Sequence, residues 1–301
     1  MLTINMLTKI FYEIDNFCKG FEKNWEKNLI GKSSKSEMSL SEIMTITVYF
    51  HYSGCRTFKD YYKKYVKEIL KEEFPKLLSY NRFVELMKIA IIPLIYYLKV
   101  FRRGECTGIS FIDSTKLVVS HNRRINQHKT FKGIANRGKD SVGWFYGFKL
   151  HLVINEKGEI INFALTSGNV DDRNRKVFSD LVKDIIGSLF GDKGYISAEL
   201  EEELFSNNNI KLITKQKKNM KEKIIPIIDK ILLRKRAIIE SVNDELKNSC
   251  YIEHSRHRSP CNFLVNLLSG LIAYSFKPSK PSINFSQRDL ELLSNLPALN
   301  F

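Results

Sequence analysis

Ile109-Ser110-Phe111-Ile112-Asp113-Ser114-Thr115-Lys116-Leu117-Val118-Val119 is the stretch whose reading decides the fold. Its β-branched and aromatic residues predict a buried strand, and one carboxylate stands in the middle of it. An ionised carboxylate taken out of water costs several kcal/mol unless a cation or hydrogen-bond donors meet it, so a metal or a donor cluster is expected beside Asp113. An aspartate that merely caps a turn at the strand's end is the competing reading, and apolar residues continuing through Val119 weigh against it. Two later segments offer acids to share a cation: Phe190-Gly191-Asp192-Lys193-Gly194-Tyr195 and Arg236-Ala237-Ile238-Ile239-Glu240.

Outward from that strand, the pattern predicts a second at 145–154 and a third at 159–165, joined by the turn Asn155-Glu156-Lys157-Gly158 into an antiparallel meander. A helix over 174–186, a short strand over 188–192, a helix over 197–205 and a strand over 210–214 are expected next. A long helix over 224–247 follows, with Pro226 tolerated in its first turn. The order β-β-β-α-β-α-β-α is that of a ribonuclease H-like domain, an α/β fold with a mixed five-stranded sheet and helices. In such a sheet the first and fourth strands are neighbours, so Asp113 and Asp192 would face each other. At 100° per residue, Arg236, Glu240, Asn243 and Lys247 share one stripe of the long helix, and Ile239, Val242 and Leu246 form an apolar one. The polar stripe either crosses the two aspartates or is a solvated face with an Arg236 to Glu240 pair worth a few tenths of a kcal/mol.

Before the first strand, residues 2–105 read as helix throughout. Ser39-Leu40-Ser41-Glu42 has capping-box spacing ahead of a helix over 43–52, and Thr57-Phe58-Lys59-Asp60 starts another over 61–74. With Gly54 between them the pair suits either a helix-turn-helix showing Tyr61, Tyr62, Lys63, Lys64 and Lys67 to a partner, or an ordinary helical hairpin. Asn81 begins a further helix that Pro93 should kink or stop. The division expected is a helical N-terminal domain over 1–105, a catalytic domain over 106–275 and a tail over 276–301.

At 301 residues and 43% hydrophobic content the chain can bury a large core. Lys and Arg number 48 against 33 Asp and Glu, a net charge of +15, which favours a polyanion over a small neutral substrate. Both parts carry the excess: residues 1–105 hold 18 basic and 12 acidic side chains. His121 to Lys139 carries Arg123, Arg124, Lys129, Lys132, Arg137 and Lys139 with no acid, in a loop expected between the first two strands. The segment 211–236 carries ten basic residues and two acidic ones. Neutralising six or more phosphates would give the salt-sensitive affinity of a DNA-binding protein. Five cysteines form no Cys-x-x-Cys pair, and an odd count argues against a disulfide framework. The longest apolar run is broken by Pro93 and is too short for a bilayer, and no signal peptide is evident, so a soluble cytoplasmic protein with no membrane partner is expected.

Taken together, these residues resemble the DDE transposases of bacterial insertion sequences whose third acid lies in the signature Tyr-x2-Arg-x3-Glu-x6-Lys. Arg236, Glu240 and Lys247 keep that spacing, Leu233 stands where the signature has Tyr, and Asp192-Lys193-Gly194-Tyr195 is similar to the second-aspartate motif. From Asn81-Arg82-Phe83 through Trp144-Phe145-Tyr146-Gly147-Phe148-Lys149-Leu150-His151-Leu152 to the stretch 257–266, nearly the whole chain resembles the insertion sequence nine-eight-two family. The resemblance implies that Asp113, Asp192 and Glu240 are catalytic and bind two divalent ions, magnesium or manganese. It implies double-stranded DNA as partner, both terminal inverted repeats and target, and a homodimer on that DNA. Arg236, Lys247 and Lys193 would then contact phosphates, alongside Arg123, Arg124, Lys129 and Lys132. Hard cations prefer oxygen ligands, and one in-line displacement serves both hydrolysis and strand transfer.

Two other readings stay open, a DNA-binding relative that no longer cuts and a phosphatase with Asp113 as nucleophile. Against the latter, Thr115 holds the place where a second acid is usual, and a phosphatase has no need of the charge. The set Cys250, His254, His257 and Cys261 lacks the spacing of a standard zinc finger. A packed helix over 260–274 explains Cys261, with His254, Arg256, His257 and Arg258 facing DNA, and a short Leu-rich helix is expected in the tail.

Overall fold

A computed structural model of the chain describes residues 4–25, 38–215, 225–253 and 257–294. Among these the elements run α1 (Ile4–Trp25), α2 (Leu40–Phe50), α3 (Phe58–Asp60), α4 (Tyr80–Leu86) and α5 (Ile91–Phe101), then β1 (Ile109–Ser120), β2 (Asn136–Lys139), β3 (Trp144–Asn155) and β4 (Ile160–Ser167). They continue with α6 (Arg175–Val182), β5 (Gly187–Gly191), α7 (Ala198–Asn208), β6 (Ile210–Thr214), α8 (Ile227–Lys235), α9 (Ala237–Asn248), α10 (Pro260–Phe276) and α11 (Gln287–Ser294). The chain packs as two compact units, one of residues 1–102, 127–132 and 245–278, the other of 103–126, 133–244 and 279–301.

The first unit is helical. Its central helix α2 is buried all round from Ile43 to Phe50 and apolar there except for Thr45 and Thr47, the latter donating to the Met44 carbonyl (2.9 Å), as suits a helix enclosed by others. The expected capping box starts it: Glu42 N–H donates to Ser39 Oγ (3.1 Å) and Ser39 N–H to Glu42 Oε2 (2.6 Å). The single helix expected over 61–74 does not form. A π-helical stretch, Tyr61–Val66, follows α3 instead, with Lys67 N–H reaching back five residues to the Tyr62 carbonyl (3.1 Å). Its wider turn sends Tyr61 and Tyr62 inward, where both are fully buried, so they are not presented to a partner as the sequence had suggested; Lys63, Lys64 and Lys67 are exposed. Tyr61 and Tyr62 donate to the carbonyls of Ile46 (3.1 Å) and Leu78 (2.9 Å). Ahead of α5 the backbone tightens to a 3-10 turn over Met87–Ala90, because Pro93 has no N–H to return to Ile89.

The second unit is built on a six-stranded mixed sheet in the order β2-β3-β1-β5-β6, with β4 also paired to β3. Five strands were expected. The sixth, β2, lies inside the basic segment 121–139, and it pairs with β3 at Trp144–Gly147 while β4 takes β3 from Phe148 onward. The meander is antiparallel as expected, with Asp113 opposite Leu152, and β5 runs parallel to β1, with Phe111 opposite Phe190. Continuous burial of β3 from Phe145 to Asn155, broken only at Lys149, reflects cover on both faces of the sheet. Gly147 is required where it stands: a Cβ there would lie 2.0 Å from the Leu117 carbonyl oxygen, next to the bulge between Val118 and Ser120. On one face Ile112, Val153, Leu189 and Leu212 pack with Phe178, Leu181 and Val182 of α6 and Leu200 and Leu204 of α7. The helix α8 packs against β5 and β6. The continuous helix expected over 224–247 is divided at Arg236, where Ile239 N–H bonds the Arg236 carbonyl three residues back (3.0 Å). That tight turn separates α8 from α9. The apolar stripe Ile239, Val242 and Leu246 is fully buried, as its spacing required.

Candidate active site

Asp113 sits in mid-strand on β1, flanked by β3 and β5, with 23% of its side chain exposed. The parallel register that sets Phe111 beside Phe190 brings Asp192, the residue after β5, to the level of Asp113. Glu240 stands one turn after Arg236, at the start of α9. All three acids converge on the Arg236 guanidinium: Nη2 lies 2.8 Å from Glu240 Oε1 and 4.0 Å from Asp192 Oδ1, and Nη1 lies 4.0 Å from Asp113 Oδ2. The Arg236 side chain is 11% exposed, against 51% for Asp192 and 60% for Glu240, so the cation is the buried centre and two of its acids form the rim.

Burial pushes the Asp113 carboxyl up to about 6, with Asp192 and Glu240 adding to the rise and Arg236 and the Ser114 N–H opposing it. Three carboxylates around one guanidinium leave two negative charges in excess. Arg236 Nη1 is buried and has no hydrogen-bond partner, an orphaned donor at the centre of the cluster. The donor set is all oxygen, which suits a hard divalent ion, and the excess charge equals what one such ion would neutralise. Among the described residues no three acidic, histidine or cysteine side chains stand close enough to hold one ion, and at this site the guanidinium lies between the carboxylates.

A second polar cluster on the opposite face of β1 escaped the sequence reading. Asp172 Oδ1 accepts from Ser114 Oγ (2.9 Å) and from Lys149 Nζ (3.1 Å), and the buried His151 lies 3.9 Å from it. His151 Nε2 meets Thr166 Oγ1 (2.9 Å), and burial holds the imidazole down to about 4, against the pull of Asp172. The Tyr195 hydroxyl feels both Asp172 and Asp113, and burial first, then these carboxylates, keep it a neutral phenol. The cluster therefore backs Asp113 through its neighbour Ser114. Lys149 and His151, polar at alternate positions in an apolar strand, were the available signal; Asp172 lies outside the strands and gave none.

Of the other residues singled out, Arg123 and Arg124 are exposed on a 3-10 turn over Asn122–Gln127, and Lys193 is exposed directly after Asp192. Lys129, Lys132 and Lys247 belong to the first unit, where Lys247 pairs with Glu253 (3.3 Å). His254 and Arg256 lie outside the described residues. No helix among the described residues is long and apolar enough to cross a membrane.

A search of curated proteins finds no match to the chain. A family model described as the transposase DDE domain matches residues 103–260, a span that holds Asp113, Asp192, Arg236 and Glu240. That match covers more than half of the 301 residues, and the chain belongs to the transposase DDE-domain family.

Proposed function

We propose that the chain is a DNA transposase of the insertion sequence nine-eight-two type, with a ribonuclease H-like catalytic domain. In this reading it cuts phosphodiester bonds at the ends of its element and joins the freed 3′-hydroxyl to target DNA. The observation that carries the reading is the convergence of Asp113, Asp192 and Glu240, from three separated segments, on the single guanidinium of Arg236.

DDE transposase domains generally use divalent metals, and Asp113, Asp192 and Glu240 are the residues that would hold them. Two magnesium or manganese ions bound there would supply activation of the attacking oxygen and neutralisation of charge at the leaving one. Asp113, fixed between two strands, is the rigid member of the triad, while Glu240 and Asp192, at the rim, are free to adjust to substrate. Arg236, whose Nη1 has no hydrogen-bond partner, would donate to a non-bridging phosphate oxygen beside the acids. Arg123, Arg124, Lys193, Lys129, Lys132 and Lys247 would neutralise backbone phosphates without reading bases. The helical region before residue 105 is assigned to recognition of DNA ends, the protein to the cytoplasm, and two copies to a paired complex of two ends.

The test is incubation of the protein with the inverted repeats that flank its gene, with and without magnesium. Magnesium-dependent nicks leaving 3′-hydroxyl ends, and their joining to a plasmid, are expected. One observation favours a second reading, a protein that binds DNA without cutting it: Arg236 takes the place between the acids. Tight binding of the repeats with no cleavage in magnesium or manganese would select that reading.

A further inference from the structure

Within the first unit lies a groove of about 1250 Å³, larger than the pockets of roughly 300–1,000 Å³ that enclose small molecules. Lys59 of α3, Lys63 of the π-helical stretch after it and Lys67 just beyond, at intervals of four residues, line it together with Arg258 ahead of α10. Lys63, Lys67 and Arg258 are exposed and make no ion pair among the described residues. The two acids in the groove are already answered, Asp60 by Lys64 (3.5 Å) and Glu85 by Arg82 (3.1 Å). Neither Lys64 nor Arg82 lines it, so the groove presents uncompensated positive charge.

Two further observations point to a ligand. Asn266, more than nine-tenths buried, lines the groove, and its side-chain Nδ2 has no hydrogen-bond partner. An orphaned buried donor is costly unless something supplies an acceptor. Ser259, at the N-cap of the 17-residue helix α10, makes no side-chain cap, and Asn262 in the first turn lines the groove. The positive end of that helix and its free N–H groups add to the attraction for an anion.

We propose that this groove binds a single unpaired DNA strand, with phosphates along Lys63, Lys67 and Arg258 and bases against Tyr80, Asn262 and Asn266. Residues about one helical turn apart lie on one side of the stretch, and lysine stems are long and flexible, so Lys63 and Lys67 can each meet a phosphate of the same strand. A duplex is a convex rod whose base edges lie inside its own grooves, and it cannot bring them to a buried asparagine in a cleft. An unpaired strand can, its bases stacking on an aromatic ring and meeting amides through their edges. The inference rests on the reading of the chain as a DNA enzyme and goes beyond it, since cutting at duplex ends requires no such site.

The test uses the full chain and a fluorescein-labelled oligothymidylate of about ten nucleotides, with a duplex of equal length beside it, across a salt series. Replacing Lys63, Lys67 and Arg258 together by Ala removes three exposed cations, so folding is spared, as an unchanged melting curve would verify. For single strands each lost phosphate contact lowers the slope of log affinity against log salt by about 0.7, so the triple variant should lose about 2 units of slope. Between 50 and 200 mM salt the wild type should then weaken about 20-fold more than the variant. Single-strand binding should fall further than duplex binding. Removing the exposed Lys9, Lys71 and Lys88 of the same unit should leave the slope near that of the wild type. An unchanged slope in the groove variant, an equal loss with the control lysines, or equal losses on single strand and duplex would each overturn the proposal. Wild-type protein that neither binds the oligonucleotide nor cuts its own repeats would sink the DNA reading itself, whereas cutting with an unchanged slope removes the groove alone.

Discussion

Replacing Asp113 by Asn should make the protein more stable while it abolishes cleavage. The carboxyl is raised from 3.8 to about 6, and burial is the largest cause. One unit corresponds to about 1.4 kcal/mol, so the buried charge costs the folded state about 3 kcal/mol wherever it is fully ionised. The sign follows from the two protonation states. Below pH 3.8 the carboxyl is neutral folded and unfolded, and the cost vanishes. Between 3.8 and about 6 the folded protein holds the extra proton, and above that range both forms are ionised and the whole cost stands. Asn is neutral and nearly isosteric, so its advantage over wild type should be about 3 kcal/mol at pH 8 and about 1.5 kcal/mol at pH 5. Urea unfolding of both proteins at the two pH values, without divalent metal, measures it. Asp192→Asn and Glu240→Gln serve as comparisons, because those side chains are more than half exposed and should give no such gain. A variant less stable than wild type at pH 8, or a gap that does not change with pH, would refute the reasoning. Asp113 would then be satisfied in the folded state and not strained by it.

Three further outcomes are expected. Gly147→Ala would set a Cβ 2.0 Å from the Leu117 carbonyl, so β1 and β3 must separate, and a loss of at least about 2 kcal/mol should appear in urea unfolding. His51, fully buried against the Cys250 carbonyl, is pushed down to about 4 by burial. Its folded value lies below its unfolded 6.5, so this contribution is complete above pH 6.5 and lost as pH falls toward 4, about 2 kcal/mol of it by pH 5; His51→Gln should flatten that part of the stability profile. Arg123→Ala with Arg124→Ala should lower the salt slope for duplex DNA by about 1.8, and an unchanged slope would place the duplex elsewhere.

The sheet and the nearness of the three acids to one another were legible for related reasons. A carboxylate inside a run of β-branched residues marks a strand with a task, and the alternation of elements after it implied that β5 would lie beside β1, which fixes the distance between Asp113 and Asp192. What stayed hidden depends on contacts rather than on pattern. The strand β2, Asn136-Arg137-Gly138-Lys139, has no apolar residue to announce it and forms because β3 offers an unpaired edge. The break at Arg236 carries no glycine or proline, and helical periodicity runs straight through it. Tyr61 and Tyr62 read as presented residues on an α-helical wheel, and the π-helical turn reverses them. Asp172 became visible only once β1 and β3 had brought Ser114 and Lys149 to it.

The central claim is that Asp113, Asp192, Glu240 and Arg236 form one catalytic centre, and cleavage of end-labelled terminal-repeat DNA in magnesium tests it most directly. Wild type, Glu240→Gln and the double variant Asp113→Asn/Glu240→Gln should be compared at fixed protein and metal concentration, with Glu245→Gln, whose partner is Lys277, as control. The account predicts that Glu240→Gln folds and binds DNA but cuts slower by orders of magnitude, that the double variant is little worse, and that Glu245→Gln cuts normally. Full cleavage by Glu240→Gln would contradict the account, even if both aspartates proved essential.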